Sequence, residues 1–510
     1  MPFAYTVCLI GIDGVLVEVE ADLQAGLPSF SIVGLPDAAV KESKERVKAA
    51  IKSVINAFPM KHITVNLAPA DLKKDGTTYD LPIAVSIILA EHIKRELPSK
   101  ESIFLGELAL DGRIRAVTGV LPAVASAKAL GFNNFILPLG NKEEALAVGN
   151  IHALFASHLH DIFKWLQKPV PLPFFPINEH HASALDAWKG GDDFSQIVGQ
   201  DFAKRAMLIT AAGGHNIIMD GPPGSGKTML SRRLFSILPD LNELEAIETT
   251  KIYSVIGKIP KRQGLIKRRP FRSPHHTISD IGLIGGGSSP KPGEVSLAHN
   301  GVLFLDEFPE FRRSVLEAMR QPMEDGFVNL VRAQYSVRYP ARFVLVASMN
   351  PCPCGYFGHL TKPCICTPFQ IARYRAKVSG PLLDRIDLHV SVPAVSLKEL
   401  SQIRPAETSS SLKVLVKKAR LIQTKRFFNG GLHTNAQMGH SHIKMYCMLS
   451  DESKRILEMA FERYHLSLRS LNKILKVART IADLEECKRL YPKHILEALQ
   501  FRYEPKEEMK

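Results

Sequence analysis

The sequence predicts an α/β protein: a core of short, buried parallel strands, a helical C-terminal part, and a separate α+β domain in front. Three observations predict it. The apolar run Ile217-Ile218-Met219 leads directly into Gly221, Pro222, Pro223, Gly224, Ser225, Gly226, Lys227 and Thr228. A strand that enters G-x-x-x-x-G-K-T turns its backbone N–H groups inward, and the glycines lack the Cβ that would block the curve. The blocks 216–219, 302–305 and 343–347 are apolar throughout, the pattern of strands buried on both faces. From Ser396 onward the pattern turns helical, with candidates at 412–427, 451–464, 470–484 and 492–501.

Each region follows from local signals. Residues 1–166 alternate short β-like runs such as 63–67 with helical ones such as 38–54, as an α+β domain does. Residues 167–192 hold the proline-rich KPVPLPFFP at 168–176 and end near Gly190-Gly191, which predicts a linker or a wrapped connection. Residues 193–395 carry the strand blocks of the core, and 396–510 the helices. A helix is expected over 229–238, after the glycine-rich loop. Asp451 is placed to cap its helix, Pro492 suits a first turn, and the charged tail 504–510 is expected to fray.

Composition bounds the rest. A chain of 510 residues suits roughly two to four domains. A 45% hydrophobic fraction supplies real cores. No apolar stretch approaches the ~18 residues of a membrane span, and no basic region precedes an apolar run at the start, so a cytoplasmic protein without membrane attachment is expected. The net charge of +14 is unevenly placed: residues 1–168 hold 17 Lys and Arg against 18 Asp and Glu, so the excess lies beyond them. A basic second part suits a polyanion, above all nucleic acid. The stretch 251–279 holds eight Lys and Arg and no Asp or Glu, and Lys267, Arg268 and Arg269 lie within it. Such residues suit salt-dependent phosphate contacts without base specificity.

The chemistry-bearing residues follow. Lys227 can reach the outer phosphates of a nucleotide, and the Thr228 hydroxyl can serve Mg²⁺. The strand Val302–Leu305 ends in Asp306 and Glu307. Asp306 suits the Mg²⁺ shell, and Glu307 can polarise an attacking water. A further strand ends at Ser348-Met349-Asn350, where Asn350 can orient that water. Arg385, in LLDRID, is a candidate arginine finger that neutralises transition-state charge on a neighbour's nucleotide. Arg469 opens a late helix and is a candidate nucleotide-sensing arginine.

Seven cysteines are too few for a disulfide scaffold. Cys8, Cys447 and Cys487 stand alone and are expected to be buried and inert. Cys352, Cys354, Cys364 and Cys366 form C-x-C-x9-C-x-C, two tight knuckles able to close a tetrahedral Zn²⁺ site. His359 is an alternative ligand, whereas His275 and His276 are expected to pack or hydrogen-bond.

Taken together, these residues resemble the AAA+ ATPases, most closely the ComM/YifB family of the magnesium-chelatase-like branch. The matching signatures are FRSPHHTISDIGLIGGG at 271–287, PGEVSLAHNGVLFLDE at 292–307, MNPCPCGYFG at 349–358, SGPLLDRIDLHV at 379–390 and ARTIADLE at 478–485. The resemblance spans essentially the whole chain. It implies a P-loop AAA+ core with a helical lid, behind a domain similar to the Lon-protease-like, ribosomal-S5-type fold. It also implies ATP and Mg²⁺ as ligands and a homo-oligomer, a hexameric ring, with a helix-2 insertion and a hairpin pointing into the pore. The flexible loop 285–293 carries Lys291, and the hairpin expected over 324–342 carries Arg332 and Arg338. These are the DNA-facing candidates, on single-stranded, duplex or branched DNA. In the first domain Lys74 to Thr78 align with the protease motif, with Thr78 at the serine position and Leu121 at the lysine position. Without that lysine no dyad forms, so a non-proteolytic domain is expected. The implied activity is ATP-driven helicase and branch migration in natural transformation, with recombination proteins as possible partners. A magnesium-chelatase-type or protein-remodelling ATPase is the alternative.

Overall fold

The computed structural model describes residues 3–93, 102–176, 193–260, 264–287, 290–332, 335–359, 361–394, 407–428 and 431–502. The chain divides into two compact units. The first comprises Met1–Leu185 together with Asn242–Lys267 and Val331–Tyr339. The second comprises Asp186–Leu241, Arg268–Leu330 and Pro340–Lys510. Residues 177–192 of the expected linker and 504–510 of the expected frayed tail lie outside the described residues.

The first unit is built on an eight-stranded mixed sheet. Phe3–Ile10, Asp13–Gln24 and His62–Ala68 run antiparallel to their neighbours in that series. Ser102–Phe104, Asn134–Pro138 and Ile151–Ala156 extend it in parallel. The helix Asp80–His92 is apolar on every side and is sunk into this core. Its one buried acid, Asp80, is held by Arg46 at 2.7 and 3.0 Å, as a buried charge must be. The helix Glu243–Val255 belongs to this unit. It is fastened through Ser254, whose carbonyl accepts from Gly119 N–H at 3.1 Å. Leu121 is fully buried against Ala147 and Leu265, so the position matched to the protease lysine is an apolar contact.

The second unit holds a five-stranded parallel sheet. Across the sheet the strands are Phe271–Arg272, Val302–Leu305, Val344–Met349, Ile217–Asp220 and Leu388–Ser391. Alternate residues feed two cores. Ile217, Met219, Val302, Phe304 and Val346 pack on one face, and Ile218, Leu303, Leu305, Leu345 and Ala347 on the other. This explains why the strand blocks are apolar without alternation.

Sequence expectations differ from the structure at several element ends. The helix after the glycine-rich loop is Lys227–Ile237, starting two residues before the expected 229, because Gly226 in the left-handed region (φ +93°) already ends the loop. Ser450, whose side chain accepts from Ser453 N–H, caps the helix Asp451–Arg463, and Asp451 sits in the first turn instead. A serine oxygen one residue earlier reaches the free N–H groups that Asp451, already helical, cannot. Pro492 does stand at the first position of Pro492–Gln500. Cys8 and Cys447 are buried, but Cys487 is half-exposed, because it follows the end of the helix Leu468–Leu484. Among the described residues no helix is long and apolar enough to cross a membrane.

Candidate functional site

Three adjacent parallel strands, Val302–Leu305, Val344–Met349 and Ile217–Asp220, deliver their carboxyl ends to one place. Ligands of open α/β sheets gather at such ends, where the strand order reverses. From the last of these strands the loop runs from Gly221 to Gly226, with Gly224 (φ +78°) and Gly226 in the left-handed region. A Cβ on Gly221 would lie 2.1 Å from the Val392 carbonyl oxygen, so only glycine fits there. Pro222 is buried, Pro223 is exposed, and the buried Ser225 hydroxyl has no hydrogen-bond partner among the described residues.

Lys227 is 8% exposed. Its ammonium donates to Gly221 O at 2.6 Å, Pro222 O at 2.9 Å and Asn350 Oδ1 at 3.3 Å. Burial pulls its pKa below the usual lysine value, with Asp220 and Asp306 opposing. A desolvated cation held by loop carbonyls, beside a curled backbone and an unpartnered hydroxyl, fits a phosphate group. The Thr228 hydroxyl donates to Asp306 Oδ2 at 3.0 Å. The other Asp306 oxygen accepts from Ser348 Oγ and from Glu307 N–H. Thr228 and Asp306 therefore present adjoining oxygens, a donor set that fits a hard divalent cation such as Mg²⁺. Glu307 is exposed and has left-handed backbone (φ +52°, ψ +47°). His276 Nδ1 lies 3.3 Å from its Oε2. A polar contact of His276 lay within the sequence expectation that it packs or hydrogen-bonds, but its partner, Glu307, had no signal beyond the doubled histidine.

Arg385 does not pair with its neighbouring aspartates. Its Nη2 donates to Glu324 Oε2 at 2.8 Å, and Arg469 Nη2 pairs with the other oxygen of Glu324. The aspartates face the late helices instead. Asp387 meets Lys473 Nζ at 2.9 Å, and Asp384 accepts from Arg502 Nη2 at 2.7 Å. Burial raises the Asp387 carboxyl, but Lys473 and His215 outweigh it and hold it well below the usual range. Neither Glu324 nor Lys473 carries a sequence signature.

The four clustered cysteines do converge. The sulfurs of Cys352, Cys354 and Cys364 are 3.4 to 3.6 Å apart, and Cys366 completes a group within 4.8 Å. A tetrahedron of ~2.3 Å Zn–S bonds places sulfurs about 3.8 Å apart. Phe357 N–H points at Cys352 Sγ and Cys366 N–H at Cys364 Sγ. The N–H groups of Tyr356 and Ile365 draw the Cys354 thiol down, whereas Cys364 and Cys366, despite a backbone N–H on each, are pushed up by desolvation and the neighbouring sulfurs. Thiolate-stabilising donors on a four-sulfur cluster fit Zn²⁺. His359 Nδ1 accepts from Thr361 and Lys362 N–H and stands outside the group. A Cβ on Gly355 would lie 2.6 Å from the Pro223 ring, so the cysteine loop rests on the glycine-rich loop.

The basic candidates differ in setting. Arg268, Lys291 and Arg338 are exposed, and Lys267 is half-buried. Arg269 is a strut of the fold: its Nε and Nη1 donate to the carbonyls of Pro239 and Asn300, each at 2.7 Å. Lys291 lies in the short ladder of Gly285–Gly286 with Lys291–Pro292, while residues 288–289 are outside the described residues. The hairpin consists of Phe327–Arg332 and Tyr335–Pro340; the side chain of Arg332 lies outside the described part.

Comparison with known proteins accords with this site. Residues 193–400 match the family of magnesium chelatase, subunit ChlI. Residues 19–141 match subunit ChlI of Mg-chelatase, and 406–502 its C-terminal part. The chain is 41% identical over 503 residues to Competence protein ComM of Haemophilus influenzae, covering 98% of this chain and 97% of that protein. It is 40% identical over 504 residues to the uncharacterized protein YifB of Escherichia coli, again covering 98% and 97%. Similarity to the magnesium-chelatase 38 kDa subunit of Rhodobacter capsulatus is 30% over 177 residues, 31% of this chain and 50% of that one. Identity that runs over 98% of the chain with the first two, and over only 31% of it with the third, places the chain in the ComM/YifB family of magnesium-chelatase-like proteins.

Proposed function

We propose that this protein is an ATP-driven motor that assembles as a ring on DNA and promotes branch migration while transforming DNA is integrated by homologous recombination. The observation that carries the reading is the meeting of Lys227, Thr228, Asp306, Glu307 and Asn350 at the ends of three adjacent strands. Full-length similarity to a protein named for competence supports the DNA process. The surplus of Lys and Arg beyond residue 168 supports a polyanionic partner.

In this reading Lys227 moves from the loop carbonyls onto the outer phosphates of ATP. The loop from Gly221 to Gly226 wraps the phosphate chain, and Thr228 and Asp306 hold Mg²⁺. The metal supplies charge neutralisation at the phosphates. Glu307 takes the proton of the attacking water, and Asn350 orients that water. Arg385, from a neighbouring copy, stabilises the charge that develops on transfer, and Arg469 senses nucleotide. Lys267, Arg268, Lys291, Arg332 and Arg338 are the proposed DNA contacts. Cys352, Cys354, Cys364 and Cys366 hold a structural Zn²⁺ that stiffens the loop leaning on Pro223. Residues 1–166 form a non-proteolytic domain, a reading supported by the apolar burial of Leu121, and serve as an assembly platform or a second DNA-contacting surface.

Matches to the magnesium chelatase families favour a second reading, an ATPase that drives metal insertion. One experiment separates the two: ATP hydrolysis with and without single-stranded and branched DNA, with Glu307→Gln as control. The motor requires strong, salt-sensitive stimulation that disappears in the control. Turnover indifferent to every DNA tested sinks the motor and moves the search to protein partners, with metal insertion and protein remodelling as the readings left.

A further inference from the structure

Glu324 receives two guanidinium groups from distant parts of the second unit. Arg385 comes from the turn after the helix Gly380–Leu383, and Arg469 from the start of Leu468–Leu484. Each takes one of the two carboxylate oxygens. The Arg385 side chain is only 15% exposed, and its Nε has no hydrogen-bond partner among the described residues. Its Nη1 is turned onto the Pro381 carbonyl at 2.7 Å. Arg469 is further placed by Asp384, whose Oδ2 lies 3.6 Å from its Nε. Asp384 is itself anchored by Arg502 and Ser470. The two arginines are thus braced from behind and share one exposed acid in front.

Guanidinium groups recognise carboxylate and phosphate oxygens with the same planar fork of donors. Two of them converging on one carboxylate make an oxyanion site with an unused donor left over. We propose that Arg385 and Arg469 form one phosphate-binding site and that Glu324 is its built-in occupant. The terminal phosphate of a nucleotide held by a neighbouring copy of this chain displaces the Glu324 carboxylate when copies assemble. This rests on the reading of Arg385 as acting on a neighbour. Displacement costs two ion pairs, one partly buried and one exposed, so the free subunit is held back from assembly by that amount.

The test is the protein concentration at which ATP-dependent assembly and ATP turnover reach half their maximum. Assembly is followed by sedimentation velocity in a Glu307→Gln background, so it does not depend on hydrolysis. Glu324 is 41% exposed, and Glu324→Gln keeps its shape while removing its charge. Glu324→Gln is expected to lower both midpoints about two- to tenfold, with turnover at saturating protein unchanged. Midpoints that stay in place or rise, or a fall in saturated turnover, overturn the proposal. Arg385→Ala separates this from the underlying reading. If Arg385→Ala turns over at the unmodified rate, the neighbour-acting arginine itself is wrong. If Arg385→Ala is inactive and Glu324→Gln moves nothing, only the occupant is wrong.

Discussion

Glu307 occupies left-handed backbone space, where a side chain with a Cβ is disfavoured by about 1–2 kcal/mol. Such cost persists where surrounding structure holds it, as at reacting centres. Here the two neighbouring acids meet different partners, Asp306 the Thr228 and Ser348 hydroxyls and Glu307 the His276 ring. Glu307→Gln is expected to bind nucleotide normally and to lose at least about a hundredfold in turnover, the usual share of a general base. Parallel nucleotide binding and hydrolysis assays check it, and turnover within a few-fold of the unmodified rate removes Glu307 from the chemistry. His389 offers a second residue-scale outcome. Burial, with Arg502 and Lys473 close by, lowers its pKa from 6.5 to about 4. The unfolded chain therefore takes up this proton first as pH falls. Its contribution to stability is complete above pH 6.5 and is lost towards pH 4, at about 1 kcal/mol per pH unit. Denaturant melts across that range should show this slope, and His389→Gln should flatten it.

Two elements give the site its stiffness. The cysteine loop touches the nucleotide loop through Gly355 and Pro223. It continues into the helix Pro368–Arg375, where Arg375 Nη2 lies 3.5 Å from Asp220 and Nε donates to Pro351 O at 3.3 Å. Metal analysis is expected to find one zinc per chain. Stripping it, or Cys354→Ser, should weaken ATP binding by about tenfold, on the scale of a lost supporting contact; zinc-free protein with unchanged ATP affinity would falsify the loop's role. The helix Leu468–Leu484 is bolted to the residue just before the strand Leu388–Ser391 through Lys473 and Asp387, both nearly buried. Burial draws Lys473 down to about 8 against the pull of Asp387. Lys473→Met strands the acid and should destabilise the fold by about 3 kcal/mol, read as a shift in the denaturant midpoint.

At the scale of the whole molecule, charge is the distinguishing property. The net +14 arises beyond residue 168, while the first stretch is near balance. If exposed Arg268, Lys291 and Arg338 meet the DNA backbone, affinity must fall steeply with salt. Each of these changed to Gln should lower the slope of log affinity against log salt by about 0.7 to 0.9. Arg269→Gln should instead lower stability, because its guanidinium is committed to Pro239 and Asn300. Fluorescence anisotropy at several salt concentrations separates the two behaviours. A slope unchanged by all three surface replacements points to a DNA path elsewhere.

The sequence by itself determined what depends on local sterics and periodicity. The glycine-rich loop, Val302–Leu305 with its two acids, and Leu468–Leu484 all appear within a residue or two of where pattern places them. Glycine spacing, continuous apolar blocks and helical period act over a few residues, so they can be read without the fold. The cysteine spacing belongs here too, since two C-x-C turns already define four sulfurs. Only the tertiary structure decided which distant groups meet. Ser348 on Asp306, His276 beside Glu307, and Glu324 between Arg385 and Arg469 follow from strand order and packing. So does the grouping of Asn242–Lys267 and Val331–Tyr339 with the first unit. Arg385 shows the difference most plainly. Aspartates flank it in the sequence, but the turn after Gly380–Leu383 sends Asp384 and Asp387 towards Arg502 and Lys473 and leaves Arg385 to Glu324. A side chain's direction is set by the backbone it stands on, and its partner by whatever packing brings opposite, so neither is written in the spacing of the residues themselves.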